Sequence, residues 1–284
     1  MVSTRLELGL PRKAPHDALA GHPPRREWLD DQAPRYSLRR YLAVRSVMNL
    51  TARLYSNVRV EGLDRLPDGP AVLCFSHQNW ADPFYVVAGT RSCPQLYFFG
   101  PEQEEMRKGI RNRLMRWSGV VIPYRPGRRG LVAATARAES VLAAGGVVAI
   151  AGEGKIHAGE EVVLPLRDGP AYLSLRCGVP LVPMAINGTS WLGFRQGVRI
   201  RIGEPIFARP ATPRRPTAED VDILTAEAQV ALERLVGDFP DRPPAWPLGR
   251  RVTELFNVWP DGARPGAEER GREMGRARPP DPRR

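Results

Sequence analysis

The sequence predicts an α/β fold in which a central mixed sheet is flanked by helices. Short apolar runs that end abruptly, such as residues 70–75 and 147–151, are typical of buried strands. Longer stretches with apolar residues at helical spacing lie between such runs, for example at residues 131–146 and 217–237. Strands that alternate with helices form layers, and the loops at the strand ends are where function is expected.

The two ends of the chain differ in composition from the middle. The sequence has 29 prolines, and they are about twice as frequent in residues 1–36 and 241–284 as in the residues between. Residues 1–36 mix Pro, Arg, Asp and His without periodicity and are predicted to be a disordered basic tail. Residues 241–284 are predicted to be a Pro/Arg-rich extension that is largely disordered. One domain is therefore expected over residues 37–240.

Each element of that domain has a local signal. A first helix is predicted over residues 38–55, where apolar side chains recur at helical spacing with arginines between them. A helix after the strand at 70–75 begins with Asp82 as the expected N-cap and Pro83 at the first helical position. Thr217 and Asp220 form the capping box of the last helix. The other predicted strands cover residues 95–100, 119–124, 180–186 and 198–206, and the other predicted helices cover residues 104–117, 131–146 and 169–178.

Charge and composition restrict the classes of partner. The net charge is +11 and the isoelectric point is near 10.3, which favours anionic partners such as lipid headgroups, CoA-type substrates or nucleic acid. The aromatic residues are not interleaved with basic ones, which argues against nucleic acid. The three cysteines are widely spaced and the four histidines have no zinc-ligand spacing, so we expect free thiols and no metal. No apolar run approaches the roughly 18 residues of a membrane span.

The stretch "SHQNWADPF" (76–84) places an imidazole and a carboxylate where a strand ends. If Asp82 accepts a hydrogen bond from Nδ1 of His77, the carboxylate orients the ring and leaves Nε2 to take a proton. The chain has no Gly-x-Ser-x-Gly nucleophile. Ser76 is adjacent to His77, but neighbouring residues of a strand point to opposite faces. The pair therefore suits a reaction in which the substrate brings its own hydroxyl, such as acyl transfer from an activated ester. The spacing also arises by chance, and a hydrogen-bonded surface histidine is the simpler alternative.

Four blocks in order carry a resemblance to a known family. They are "HQNWADPF" (77–84), "SGVVIPYRPGRRG" (118–130), "AIAGEGKIHAG" (149–159) and "VPLVPMAINGT" (179–189). The first matches the His-x-x-x-x-Asp block of the lysophospholipid (glycerolipid) acyltransferases, and the others resemble the later blocks of that family. The resemblance covers roughly residues 40–205 and implies a glycerolipid-acyltransferase-like fold.

The resemblance implies a role for individual residues. His77 would be the general base and Asp82 its orienting partner. Arg125 would meet the acceptor phosphate, with Arg128 and Arg129 as alternatives, because a guanidinium makes bidentate contacts to phosphate.

In the third block, Glu153, Gly154 and Lys155 would help to place the acceptor. That block departs from the family in having Gly152 where proline is usual and Lys155-Ile156 where Thr-Arg or Arg is usual. His157, close by, is expected to be a solvated loop residue.

The resemblance also implies substrates and a location. The acyl donor would be acyl-CoA or acyl carrier protein, the acceptor would be a lysophospholipid such as lysophosphatidic acid, and no further cofactor is implied. The basic helix at 38–55 is expected either to lie on an anionic membrane surface, at the inner face of the cell membrane, or to pack on the domain as an ordinary helix. The alternatives are an acyltransferase for another acceptor, such as an ornithine lipid or a glycolipid, and a non-catalytic basic module that binds lipid or phosphate.

Overall fold

A single seven-stranded sheet organises the part of the chain that the structure describes. The computed structural model describes residues 38–91, 94–101, 113, 117, 119–124, 128–157, 159–207, 216–241 and 243–257. Its strands are β1 (Asn57–Glu61), β2 (Ala71–Phe75), β3 (Leu96–Pro101), β4 (Val121–Tyr124), β5 (Val147–Ala151), β6 (Leu181–Asn187) and β7 (Gly197–Ile202), in the spatial order β1-β7-β6-β2-β5-β3-β4. The predicted tails lie outside the described residues, except for residues 241 and 243–257. Most of the helix predicted at 104–117 lies outside them as well.

The helices lie between and beyond the strands, as the α/β pattern predicts. They are α1 (Leu38–Tyr55), α2 (Asp82–Ala88), α3 (Arg128–Ala143), α4 (Gly169–Cys177), α5 (Ala218–Val236) and α6 (Pro247–Phe256). The predicted capping box of α5 is present, with Asp220 N–H donating to Thr217 Oγ1 and Thr217 N–H donating to the Asp220 carboxylate. The predicted N-cap of α2 is wrong: the N-cap is Ala81, and Asp82 is already the first helical residue. Strand β1 and helix α6 have no counterpart among the predicted elements.

Strand direction brings three loops to one edge of the sheet. Strands β6, β2, β5, β3 and β4 are parallel to one another, whereas β7 runs antiparallel to β6 and carries the parallel edge strand β1. The sheet is therefore mixed, as predicted. The carboxyl ends of β6, β2 and β5 are adjacent, and such an edge is where an open α/β sheet forms its sites.

The central strand β2 is covered on both faces. Ala71, Leu73 and Phe75 point into one core cluster, which includes residues of α1 and α2. Val72 and Cys74 point to the opposite face, where they meet residues of α3, α4 and α5. A parallel strand buried on both faces consists of continuous apolar residues, and "AVLCF" has that character. The residues that follow β2 thus start from a fixed support.

One side of α1 packs on the domain and the other faces outward. Its buried side chains are Tyr41, Val44, Met48 and Ala52, which join the core cluster on the α2 face of the sheet. The outward side exposes Leu42, Val47, Leu50 and Leu54 between arginines. Within the described ranges, no helix is both long and apolar enough to cross a membrane.

Helix α6 lies in the segment for which the sequence predicts a largely disordered extension. The proline content that suggests disorder is compatible with a helix here, because Pro247 occupies the first helical position, where its missing N–H costs nothing. Thr253 and Asn257 are buried, so this part of the C-terminal segment belongs to the folded body.

Candidate active site

A buried carboxylate holds the imidazole that follows β2. The Asp82 side chain is fully buried, and its Oδ2 lies 2.9 Å from His77 Nδ1. The same oxygen accepts the backbone N–H groups of Gln78, at 2.7 Å, and of Asn79, at 2.8 Å. A carboxylate at Nδ1 places the proton of a neutral ring on that nitrogen, which leaves Nε2 as the basic atom.

The rest of the His77 ring is placed to meet a substrate. The ring packs against Phe75 in a T-shaped arrangement, with ring centroids 5.7 Å apart. The side chain is 18% exposed, and among the described residues no hydrogen-bond partner reaches Nε2. An oriented imidazole with an open Nε2 can take a proton from a bound hydroxyl.

Ser76 does not serve this imidazole as a nucleophile. Its hydroxyl is buried and accepts the Ile186 backbone N–H of β6 at 2.9 Å. The prediction that Ser76 points away from the His77 side is therefore confirmed. Burial also raises the pKa of the Cys74 thiol to about 12, with a smaller contribution from Glu153, so this thiol stays protonated.

Glu153 joins the loop after β5 to the loop after β2. Its Oε2 accepts the His77 backbone N–H at 2.8 Å, and its Oε1 accepts the Leu164 backbone N–H at 3.1 Å. Nε2 of His157 lies 2.8 Å from the same Oε1. Both carboxylate oxygens are occupied by the protein, so any part that Glu153 has in placing an acceptor passes through the loops it holds.

The expectation of a solvated loop residue at His157 is wrong. This histidine is buried beside Glu153, and its backbone N–H donates to the His77 carbonyl at 3.1 Å. The loops after β2 and β5 are thus joined through the Glu153 side chain, through this backbone bond and through Gln78, whose Nε2 donates to the Gly159 carbonyl at 3.1 Å. No local pattern marks His157, because the partners of its ring and backbone become neighbours only in the folded sheet.

Gly154 and Lys155 of the third block lie at the surface of the same loop. Gly154 has a φ of 70°, in the left-handed region that glycine adopts without strain, and it is exposed. Lys155 is exposed as well, next to Gly154. Both are accessible to a substrate, and their predicted role in placing an acceptor stays a prediction.

The predicted phosphate contact lies outside the described residues. Arg125 follows the carboxyl end of β4, and the alternatives Arg128 and Arg129 belong to the first turn of α3. Because β4 is parallel to β2, these arginines and His77 follow strand ends at the same edge of the sheet.

A second buried acid joins the β6 loop to this edge. Glu160 accepts the backbone N–H groups of Gly188, at 2.6 Å, and of Ser190, at 2.8 Å. Burial raises its pKa to about 8 despite these two bonds, which lower it. Sequence analysis missed Glu160, since one acidic residue in a polar loop carries no distinguishing pattern. Among the described residues, no cluster of His, Cys, Asp and Glu is suited to a metal ion.

The contacts of Glu153 predict how its substitution will act. In the wild type, N–H donors bind both carboxylate oxygens of Glu153, whereas Glu153→Gln retains only one acceptor oxygen. We therefore expect the free energy of unfolding to fall by about 1–3 kcal/mol. The catalytic rate should fall with it, while the Michaelis constant for the acceptor changes little. Chemical denaturation and steady-state kinetics measure these quantities. Lys155→Ala, in the same loop but exposed, is the control and should leave stability unchanged. A raised Michaelis constant for the acceptor with unchanged stability in Glu153→Gln would instead make Glu153 a substrate contact.

The chain is similar to a known protein family and to a solved structure. Residues 57–187 match the family model described as Acyltransferase. The crystal structure of the 1-acyl-sn-glycerophosphate (LPA) acyltransferase PlsC from Thermotoga maritima shares the fold, with a TM-score of 0.54 and 21% sequence identity over 70% of this chain and 82% of that one. No curated protein matches the chain. The matched residues hold both β2 and the His77–Asp82 loop, and the prediction from the four sequence blocks is confirmed to this extent: residues 57–187 form an acyltransferase domain, and the chain has the fold of the solved 1-acyl-sn-glycerophosphate acyltransferase.

Proposed function

We propose that the protein transfers a fatty acyl group from acyl-CoA or acyl carrier protein to the free hydroxyl of lysophosphatidic acid, forming phosphatidic acid in phospholipid biosynthesis. The observation that carries the proposal is the His77 ring, which buried Asp82 holds at Nδ1 and whose Nε2 has no hydrogen-bond partner among the described residues. The similar solved structure is itself a 1-acyl-sn-glycerophosphate acyltransferase, which supports this choice of acceptor.

The dyad provides the proton transfers of this reaction. His77 Nε2 takes the proton of the acceptor hydroxyl as its oxygen attacks the thioester carbonyl. The tetrahedral intermediate then collapses, the carbon–sulfur bond breaks, and the thiolate leaves with the proton from the imidazolium. Asp82 stabilises the imidazolium between these steps through its contact with Nδ1. Since the acceptor supplies the nucleophilic oxygen, the protein needs no serine or cysteine nucleophile of its own.

The acceptor phosphate would lie near the arginines that follow β4. Arg125 is the first of them along the chain, and a guanidinium offers a planar pair of donors to phosphate. Lys155, exposed in the β5 loop, adds positive charge but a less directional contact. If these residues bind the phosphate, the free hydroxyl of lysophosphatidic acid would extend toward His77.

Removing the base should abolish transfer. We expect His77→Ala to lower turnover by about 10²- to 10⁴-fold, the usual contribution of a positioned general base, with an unchanged fold. Asp82→Asn should be less severe, because the ring is retained while its imidazolium loses a compensating charge. Thiol release from acyl-CoA, measured with and without lysophosphatidic acid, gives the rates.

The same assay tests the reaction class. Release that requires the acceptor identifies a transferase, and equal release without it identifies a thioesterase. A panel of lysophosphatidic acid, a lyso-ornithine lipid and a glycolipid separates the acceptors. Turnover near that of the wild type in His77→Ala would end the assignment of His77 as base.

Removing the phosphate contact should act on one substrate. We expect Arg125→Ala to raise the Michaelis constant for lysophosphatidic acid about ten- to a hundredfold, because a hydrogen bond to a charged group contributes roughly 1.5–3 kcal/mol. The constant for the acyl donor should stay the same. Arg128→Ala and Arg129→Ala are the matched variants, and the largest effect among the three identifies the contact. Equal changes for donor and acceptor in Arg125→Ala would contradict phosphate binding there.

We also propose that the outward side of α1 rests on an anionic membrane surface, at the inner face of the cell membrane. Exposed Leu50 and Leu54 would enter the interface, and exposed Arg39 and Arg40 would meet anionic headgroups. Arg45 has another task, since its guanidinium donates to the carbonyl and hydroxyl of Thr90 at the end of α2. This arginine therefore stabilises the packing of α1 and is not part of the outward surface.

Vesicle sedimentation tests this contact. Arg39→Gln with Arg40→Gln should weaken binding to anionic vesicles roughly 30-fold, at about 1 kcal/mol for each arginine near the surface. Leu50→Ser with Leu54→Ser should also weaken it, and added salt should release the wild type progressively. Ile223→Ser, an equally exposed apolar residue on α5, is the control. The proposal would be contradicted if neither added salt nor either double substitution changed the binding to anionic vesicles.

A further inference from the structure

The C-terminal helix α6 delivers a side chain to the loop between His77 and Asp82. Asn257 directly follows α6 and is buried. Its Oδ1 accepts a hydrogen bond of 2.6 Å from Nδ2 of Asn79, a residue 178 positions earlier in the chain. Asn257 lies beyond residues 57–187, which match the acyltransferase family model, so this contact comes from a different part of the chain.

Asn79 is hydrogen-bonded to Asp82 and to Ala81, within the loop from His77 to Asp82. Its backbone N–H donates to the Asp82 carboxylate at 2.8 Å, and its Oδ1 accepts the Ala81 N–H at 3.0 Å. Nδ2 also donates to the Thr189 carbonyl at 2.9 Å. Asn257 therefore takes the second hydrogen of Nδ2, and the Asn79 amide has a partner for its oxygen and for both hydrogens. A buried amide with all its hydrogen bonds made has one orientation, and these bonds restrict the conformation of the loop that contains Asn79.

Close packing on the loop between β6 and β7 keeps α6 in place. Thr253 is buried, and a side chain at Gly193 would meet its Oγ1 at 2.8 Å, so helix and loop approach closely. The Arg250 guanidinium lies over the Trp191 ring, 5.8 Å from its centroid. Asn257 Nδ2 points to the Leu192 carbonyl at 3.5 Å. These contacts place Asn257 independently of Asn79.

We propose that Asn257 is a positioning residue for the acyl transfer: through Asn79 it fixes the loop that aligns His77 with Asp82. It does not touch the reacting atoms, so its effect should appear in the chemical step and not in substrate binding. The proposal rests on the acyl transfer proposed above. It makes the C-terminal segment part of the catalytic apparatus, in addition to its role in the packing of α6.

Kinetics of single variants give the first test. We expect Asn257→Ala to lower kcat about tenfold while the Michaelis constants for acceptor and donor stay within about twofold. Arg251→Ala, on the exposed side of α6, is the matched control and should leave kcat unchanged. An unchanged kcat in Asn257→Ala, with active wild type, would overturn the proposal.

A double-mutant cycle separates positioning from general stabilisation. If Asn257 acts through Asn79, adding Asn257→Ala to Asn79→Ala should lower kcat no further. Additive losses in kcat would mean that Asn257 acts by another route, and the proposal would fail.

A readout without substrate keeps this test separate from the proposed function. The nitrogen NMR shifts of the His77 ring report its tautomer, and we expect the wild type to hold the proton on Nδ1 and Asn257→Ala to show a mixture. If the wild type transfers no acyl group to any acceptor, while Asn257→Ala still shows the mixture of tautomers, the proposed function fails and the positioning role remains. An unchanged tautomer in Asn257→Ala would overturn the positioning role.

Discussion

The burial of the Asp82 carboxylate determines the geometry of the whole loop from His77 to Asp82. A carboxylate without water must be compensated by hydrogen bonds, or its burial becomes prohibitive. Oδ2 finds three donors, and two of them are the backbone N–H groups of Gln78 and Asn79. Those groups converge on one oxygen only when the chain turns back directly after β2. The orientation of the His77 ring then follows from the turn, because Nδ1 is the third donor.

Buried acids repeat this principle at the neighbouring strand ends. Glu153 links the β5 loop to the β2 loop, and Glu160 accepts two backbone N–H groups of the β6 loop. Irregular loops lack the hydrogen-bond ladders that make strands precise, and buried acidic side chains that accept backbone N–H groups take their place. A site built on several loops gains accuracy when such supporting contacts fix each loop against the next.

Local signals predict most of the fold, whereas the supporting contacts of the site depend on distant residues. The apolar run of β2 and the Thr217 capping box each act within a few positions, so the sequence is sufficient to predict them. Glu153 meets a backbone group 76 positions away, and Asn257 meets a side chain 178 positions away. Their pairing depends on strand order, which no local pattern contains. The proline and arginine content around α6 predicts disorder. The helix forms because tertiary contacts hold it, and composition does not reveal such contacts.

The glycine that replaces the family's usual proline at position 152 fits the space available there. A Cβ atom at Gly152 would lie 2.6 Å from Cys74 Sγ and 2.7 Å from Leu166 Cδ2, so proline, the usual residue there, would not fit beside these side chains. Glycine lets the chain pass directly over the end of β2 and places Glu153 against the His77 backbone. His157 then covers the second oxygen of Glu153 from within the same loop. Gly152, which leaves room for Cys74, and His157, which contacts Glu153, thus both support the loop that carries His77.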